Sequence, residues 1–154
     1  MTISDVVLPK PDEELIRRKE KAWRVHLPKD YRNFLKEYSG GTPSKKSLPC
    51  AGYIYVVERF LCLVKDIATH KYGYLDIDVT VTQIEDRLTD NEDLIGYEMI
   101  PIAAMFAGDY LCLDFRKSKR KPSICIWFHE ESGELEPVTE KVADSFTEFM
   151  QMLV

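Results

Sequence analysis

Residues 108–115 read GDYLCLDF, and this stretch, together with ICIWFHE at residues 124–130, decides the fold. In the first run every second residue is apolar, namely Leu111, Leu113 and Phe115. Successive side chains of a strand point to opposite faces, so this alternation predicts a strand with one buried face. The second run alternates in the same way. The two runs therefore predict neighbouring strands of one sheet.

A basic link and a closing helix complete this pattern. The link RKSKRKP at residues 116–122 predicts a solvated turn, and its proline prevents the next strand from extending backwards. A helix is predicted over residues 142–153, VADSFTEFMQML, because Ser145 and Glu148 have the spacing of a capping box. This order predicts a sheet covered by a helix, and it contains no nucleophile–base pair.

A helix with clear start and stop signals is predicted at about residues 29–38, within LPKDYRNFLKEYSGG. Pro28 suits a first helical turn, where its missing N–H costs nothing. An apolar stripe follows, formed by Tyr31, Phe34, Leu35 and Tyr38. Gly40 can adopt the left-handed conformation that ends a helix.

These segments together resemble the SUKH superfamily, which includes fungal cell-wall-synthesis regulators and many bacterial immunity proteins. The strand at residues 108–115, the Trp-Phe-His-Glu strand end and the Ala-Asp-Ser-Phe helix start resemble its C-terminal half. The Leu-Pro helix entry, the Tyr-x-x-Phe-Leu stripe and the Gly-Gly stop resemble its N-terminal half. The resemblance covers residues 27–153 in the right order. One departure is Ser39, since the family usually has asparagine before the glycine pair.

The remaining elements are predicted from local patterns. They are a first helix at residues 11–24, a loop at 41–52, strands at 52–57, 59–64 and 99–105, and a third helix from Thr82 to about Asn91 with Thr82 and Glu85 as its capping box. We find no internal repeat and no linker, so one SUKH-like domain is predicted over residues 1–154. Its class is predicted as α+β, with helices packed on a mostly antiparallel sheet.

Composition narrows the class of protein. The 154 residues are 45% hydrophobic and 31% charged, as in an ordinary globular protein. No apolar run is long enough to cross a bilayer and the N-terminus resembles no signal peptide, so a cytoplasmic location without membrane association is predicted. The four cysteines form no C-x-x-C pair, and we expect buried, reduced thiols and no cofactor. Trp127 is expected in the core beneath a helix.

Acidic residues are concentrated in two segments of the chain. Residues 76–98 contain eight acidic residues and one basic residue, and residues 130–154 contain seven and one. Two interpretations are open: a solvated surface, or a binding face for a basic partner that speeds association by electrostatic steering. The net charge of −5 disfavours nucleic acid as a partner.

The candidate partner-binding residues are acids from these two segments. They are Asp76, Asp78, Asp86, Asp90, Glu92, Asp93, Glu130 and Glu131. No catalytic or metal-binding residue is assigned. In a strand Asp76 and Asp78 would share a face and could hold a cation, but their alternation with apolar residues equally suits a half-exposed strand. His129 and Glu130 lie at a strand end, where neighbouring side chains point to opposite faces.

The resemblance implies a non-enzymatic binding protein that is a monomer or a weak homodimer. For a bacterial member it implies an immunity protein, which neutralises a secreted or contact-delivered polymorphic toxin, often a nuclease, by stoichiometric binding. The acidic segments would then occupy the basic groove of a protein toxin. A regulatory interaction domain like the fungal members is the alternative. A small hydrolase that uses His129 and Glu130, or Asp76 and Asp78, is the third hypothesis.

Overall fold

A six-stranded antiparallel sheet is the centre of the computed structural model, which describes residues Met1–Val154. Its strands, in spatial order, are β3 (Ser47–Cys50), β4 (Tyr53–Phe60), β5 (Met99–Met105), β6 (Tyr110–Asp114), β7 (Ser123–Trp127) and β8 (Thr139–Ala143). The helices are α1 (Glu13–Trp23), α2 (Lys29–Tyr38), α3 (Ile77–Ile84) and α4 (Phe146–Met152), and β1 (Ile3–Ser4) pairs separately with β2 (Thr42–Pro43). The predicted α+β class is confirmed.

Strands β6 and β7 pair in the register that the alternating sequences suggest. Cys112 lies opposite Cys125, and Leu111 lies opposite Ile126. The leucine and isoleucine side chains face the main core, whereas the two cysteines face a smaller cluster on the other side of the sheet. Each strand therefore contributes buried residues to both faces of the sheet, because helices or turns cover both.

The main core lies between one face of the sheet and helices α1, α2 and α4. It contains a group of aromatic rings: Phe34 of α2 lies 4.7 Å from Phe60 of β4 and 5.1 Å from Phe146 of α4, between ring centroids. Tyr31 meets Phe146 edge-on at 5.2 Å. Burial of each such side chain contributes about 1.5–3 kcal/mol to stability.

The second apolar cluster lies on the other face of the sheet, beneath the chain that follows α3. It contains Ile84, Leu88, Met99, Cys112, Cys125 and Trp127. Trp127 is fully buried, as predicted, and its indole Nε1 donates to the backbone carbonyl of Arg87 at 2.9 Å. All four cysteines are free thiols; three are buried and Cys50 is half-buried. Burial raises the pKa of the Cys62 thiol to about 12.

Ion pairs hold α1 against α2. The guanidinium of Arg32 binds the carboxylates of Glu13 and Glu20, and Lys36 also binds Glu13. Glu20 accepts a further hydrogen bond from the backbone N–H of Leu27 at 2.8 Å. Glu13 and Glu20 are thus used for structure. None of the helices is long and apolar enough to span a membrane.

Residues 75–79 do not form the strand that their alternation suggests. Gly73–Leu75 is a 3₁₀ turn, and Asp76 is the N-cap of α3, with its carboxylate accepting from the backbone N–H of Asp78 at 2.8 Å. Helix α3 therefore starts before Thr82, and the predicted Thr82–Glu85 capping box is wrong: the Thr82 hydroxyl donates to the carbonyl of Asp78. Aspartate alternating with apolar residues suits a helix start as well as a strand.

Other boundaries also differ from prediction. The strand β3 lies within the predicted loop. The first predicted strand and the start of the second form one strand, β4, which is irregular between Val57 and Arg59. β8 takes residues expected to start the last helix, so α4 begins at Phe146. Ser145 caps that helix as predicted, whereas Glu148 reaches the N–H of Asp144, one residue earlier than in a capping box.

Asp76 provides a test of how the segment before α3 is held. Its carboxylate is fully buried and also accepts from the buried N–H of Val64 at 2.8 Å. Burial raises the pKa of this carboxyl, and the N–H donors of Val64 and Asp78 oppose that shift. Asp76→Ala leaves both donors unpaired, so we expect the free energy of unfolding in urea to fall by about 2–4 kcal/mol. The exposed Asp66→Ala is the control, with a change within about 0.5 kcal/mol.

Candidate partner-binding site

An acidic cleft of about 420 Å³ lies beside the second apolar cluster. Its carboxylates come from Glu85, Asp86, Glu92, Glu98 and Glu134, and no lysine or arginine lines it. Val81, Leu88, Leu94, Met99 and Leu135 supply apolar lining residues. The cleft therefore combines an apolar lining with negative charge, which suits a basic side chain with an apolar stem.

The five carboxylates of the acidic cleft have no partner within the protein. None of them forms a salt bridge or accepts a side-chain hydrogen bond. On α1, by contrast, Glu13 and Glu20 are paired with Arg32. Like charges that gather without counter-charges repel one another and stabilise nothing in the free protein. They are therefore available to a ligand from outside the protein.

The one basic residue between residues 76 and 98 points away from the acidic cleft. Arg87 lies in the 3₁₀ turn Glu85–Arg87, and its guanidinium sits over the Trp127 ring, 5.0 Å from the centroid. It donates to the carbonyl of Ser132 at 2.8 Å and to that of His129. These contacts hold Arg87 against the loop that follows β7. The neighbouring Glu85 and Asp86 are left facing the cleft.

The same contacts bring the two acidic segments together. The backbone N–H of Leu135 donates to the carbonyl of Asp86 at 2.7 Å, which places Glu134 at the edge of the acidic cleft. Ser132 stabilises this loop further, because its hydroxyl accepts from the N–H of Val138 at 2.9 Å. Acidic residues about fifty positions apart in the sequence thus line one surface.

The opposite wall of the acidic cleft is held by α1. The N–H of Tyr97 donates to the carbonyl of Trp23 at 2.9 Å, and the two rings stack with centroids 6.2 Å apart. Gly96 has φ +84°, and a Cβ there would lie 2.7 Å from the Trp23 carbonyl oxygen, so only glycine fits. Burial raises the pKa of Tyr97, and the carboxylates of Asp78 and Glu85 raise it further.

The predicted binding residues fall into three groups. Asp86 and Glu92 line the acidic cleft. Asp90 and Asp93 are exposed on the loop that forms its wall, and Glu130 and Glu131 are exposed in the turn after β7, but these four do not line it. Asp76 and Asp78 have structural roles and lie outside it.

Asp76 is wrongly placed in the predicted binding set, because its carboxylate is buried and caps α3. Asp78 is engaged in the protein: its carboxylate accepts from the Trp23 indole at 2.8 Å and binds Lys19 of α1. These contacts tie α3 to α1. They use the charge of Asp78 internally, so this residue contributes to the fold and not to the acidic cleft.

Glu85, Glu98 and Glu134 line the acidic cleft but are absent from the predicted set. They belong to the two acidic segments that the composition of the sequence singles out. Selecting them required the contact between Leu135 and Asp86, which joins segments distant in sequence. No local pattern in the sequence indicates that contact.

The residues considered for catalysis do not form a catalytic group. Asp76 is inaccessible, and the Nδ1 atom of His129 lies 3.4 Å from the Arg87 guanidinium, with Glu130 exposed next to it in the chain. No group of three or more histidine, cysteine, aspartate or glutamate side chains is arranged to hold a metal ion.

Comparison with known proteins identifies the family. The model of a family described as "SUKH_6: SMI1-KNR4 cell-wall" matches residues 13–150. Searches of curated proteins and of solved structures found no match.

The match covers most of the chain, and the protein therefore belongs to the SMI1-KNR4 family of the SUKH superfamily. Membership supports a protein-interaction role, of the immunity kind or of the Smi1/Knr4 kind, and the family is generally non-catalytic. The antiparallel sheet with its covering helices agrees with this assignment.

Arg87 tests how the acidic cleft is built. Arg87→Ala removes the ring contact with Trp127 and the donors to two loop carbonyls, so we expect the free energy of unfolding to fall by about 1–3 kcal/mol. Hydrogen exchange of the Leu135 N–H should become faster, because its hydrogen bond to the Asp86 carbonyl depends on the same turn. Arg120→Ala is the matched control, since its side chain is exposed and forms no hydrogen bond or salt bridge. Unchanged exchange at Leu135 would contradict the assigned role.

The unpaired carboxylates give a second test. Replacing Glu92 and Glu134 by glutamine removes repulsion within the acidic cleft, so the free energy of unfolding at low salt should rise by about 0.5–1 kcal/mol. At about 1 M salt, where the Debye length is about 3 Å, the gain should disappear. The control, Glu58→Gln with Asp66→Asn, changes exposed acids elsewhere. An equal gain in the control would show that the cleft carries no special repulsion.

Proposed function

We propose that this protein is a non-enzymatic immunity protein that binds and neutralises a secreted or contact-delivered toxin, in particular a nuclease. The observation that carries the proposal is the acidic cleft, with five unpaired carboxylates and no basic lining residue. Membership of the SMI1-KNR4 family supports a protein as the ligand. A nuclease is the proposed target because its substrate-binding groove is basic, in order to bind phosphate.

The proposed mechanism is stoichiometric blockade. The negative potential of the acidic cleft attracts the basic groove and speeds the encounter, up to about 10⁸–10⁹ M⁻¹s⁻¹ at low salt. Basic side chains of the toxin then enter the cleft, with their stems against the apolar lining and their charges beside Glu85, Glu98 and Glu134. Once the groove is filled, nucleic acid is excluded from it. No bond is made or broken in this scheme.

The family description favours one second candidate, a regulatory interaction domain like the fungal cell-wall regulators. Such a domain would bind a signalling protein and would not inhibit an enzyme. The two candidates differ in what binding does to the partner. An immunity protein abolishes the activity of its partner at equimolar concentration, whereas a regulatory domain leaves a complex in which the partner remains active.

The test requires a toxin-like protein, which is sought first among the open reading frames next to this gene. Its C-terminal domain is purified and titrated with this protein in a nuclease assay. We expect activity to fall linearly to zero at a 1:1 ratio. Full activity at excess protein would reject neutralisation, and a stable complex with retained activity would favour the regulatory alternative.

Charge reversal tests which surface binds. Glu92→Lys with Glu134→Lys should slow association with the toxin domain by about fivefold or more at low salt and should weaken its dependence on salt. Glu14→Lys with Asp66→Lys is the matched control, because it changes the net charge equally through exposed acids outside the acidic cleft. Association of the control within about twofold of the unmodified protein is expected. Equal slowing in both variants would assign the effect to net charge alone.

A further inference from the structure

The basic link between β6 and β7 lies beside the acidic cleft. It spans residues 116–122 and contains five basic residues and no acidic residue. The side-chain Nζ of Lys119 donates to the backbone carbonyl of Tyr97, a residue of the cleft, at 3.1 Å. The densest positive run of the chain therefore borders the surface on which its unpaired carboxylates gather.

Three basic side chains of the link have no ionic partner within the protein. Lys117, Arg120 and Lys121 are exposed and form no salt bridge, whereas the Arg116 guanidinium binds the carboxylate of Asp114 at 2.8 Å. None of the three lines the acidic cleft of its own molecule. Free cations and free carboxylates thus lie on neighbouring surfaces without neutralising each other.

The backbone of the basic link is fixed by hydrogen bonds. The Ser118 hydroxyl accepts from the backbone N–H groups of Arg120 and Lys121, at 3.2 and 3.1 Å. The N–H of His26 donates to the carbonyl of Lys119 at 2.9 Å, which ties the link to the segment after α1. A segment held in this way loses little backbone freedom when its side chains dock.

Neighbouring patches of opposite charge are complementary to a second copy of the same face. A two-fold axis between link and cleft sets the link of each copy on the cleft of the other, so two identical contacts close the pair. Patches on opposite sides of the molecule would generate an open chain of copies instead. The stems of lysine and arginine match the apolar lining at Leu88 and Leu94, and their charges match the carboxylates around it.

The net charge of the protein limits how tightly such a pair holds. The charge of −5 on each copy opposes association at long range. At about 0.1 M salt the Debye length is about 10 Å, so repulsion between distant charges is screened, whereas a docked link and cleft are closer than this. The five basic residues of the link balance the five carboxylates of the cleft. We therefore expect a weak pair that salt dissociates further.

We infer that two copies of this protein pair by reciprocal docking of the basic link on the acidic cleft. Pairing covers the cleft, so a basic partner has to displace the link of the second copy before it binds. The concentration of the protein then sets the fraction of clefts that are open. This inference goes beyond the proposed function and does not depend on it, since the protein alone takes part.

The experiment measures the monomer–dimer equilibrium of the full chain by sedimentation equilibrium, at protein concentrations up to about 1 mM. We expect a dimer at about 0.1 M salt, with a dissociation constant that rises about tenfold or more at about 1 M salt. Lys117→Glu with Lys121→Glu should raise it by about tenfold or more at 0.1 M salt. Lys45→Glu with Lys46→Glu is the matched control, because these lysines are exposed and lie outside the link, and a change within about twofold is expected.

A charge swap tests the reciprocal contact directly. Glu92→Lys with Glu134→Lys should also abolish the dimer, since cleft and link then repel each other. Mixed in equal amounts, this variant and Lys117→Glu with Lys121→Glu should form a heterodimer, because each link again meets a cleft of opposite charge. Both variants keep a net negative charge, so net charge does not drive the heterodimer.

Each outcome has one meaning. A dimer that both variants lose and their mixture restores supports reciprocal docking. A monomer at every concentration at 0.1 M salt overturns the inference. A dimer that persists in both variants belongs to another surface and also overturns it, as does equal weakening in the lysine control or a mixture that stays monomeric. None of these results decides whether the protein neutralises a toxin, which the nuclease assay tests separately.

Discussion

The contact between Arg87 and the loop after β7 is the interaction on which the candidate site depends. The chain after α3 crosses the sheet face where Trp127 is buried, and the indole N–H donates to the carbonyl of Arg87, which fixes the backbone there. The guanidinium then donates hydrogen bonds to the loop carbonyls of His129 and Ser132. One arginine therefore removes positive charge from the acidic surface and joins the two segments that form it. The clamp combines hydrogen bonds with a cation–π contact, so a lysine could not replace it.

Acidic residues serve two separate purposes in this molecule. Glu13, Glu20, Asp76 and Asp78 are neutralised or hydrogen-bonded, and they connect helices to each other or cap them. The carboxylates of the acidic cleft are solvated and have no partner. The pairing of the acids is more informative about function than the net charge, because paired acids contribute to the stability of the fold. The unpaired acids around the concave, partly apolar cleft form no such contact within the protein, and the proposed function uses them.

Much of the fold could be predicted because local and global preferences agree. Alternation in β6 and β7, the stripe of α2 and the cap at Ser145 each report a contact made within a few residues. The errors arose where a local pattern fits two structures, as in the segment around Asp76, or where pairing decides the outcome, as in β3 and β8. The acidic segments were visible in the composition. The subset that lines the cleft was not, because a backbone bond from Leu135 to Asp86 selects it.

The strand order of the large sheet has a kinetic consequence. Every strand of that sheet lies next to the strand that precedes it in the chain, so no crossover has to be threaded before pairing begins. Closing a short loop costs less entropy than closing a long one, and folding rates rise as contacts become more local. The sheet can thus form one strand at a time. The slowest step is closure of the segment between β4 and β5, which contains α3. We expect maturation after synthesis to be limited by that single closure.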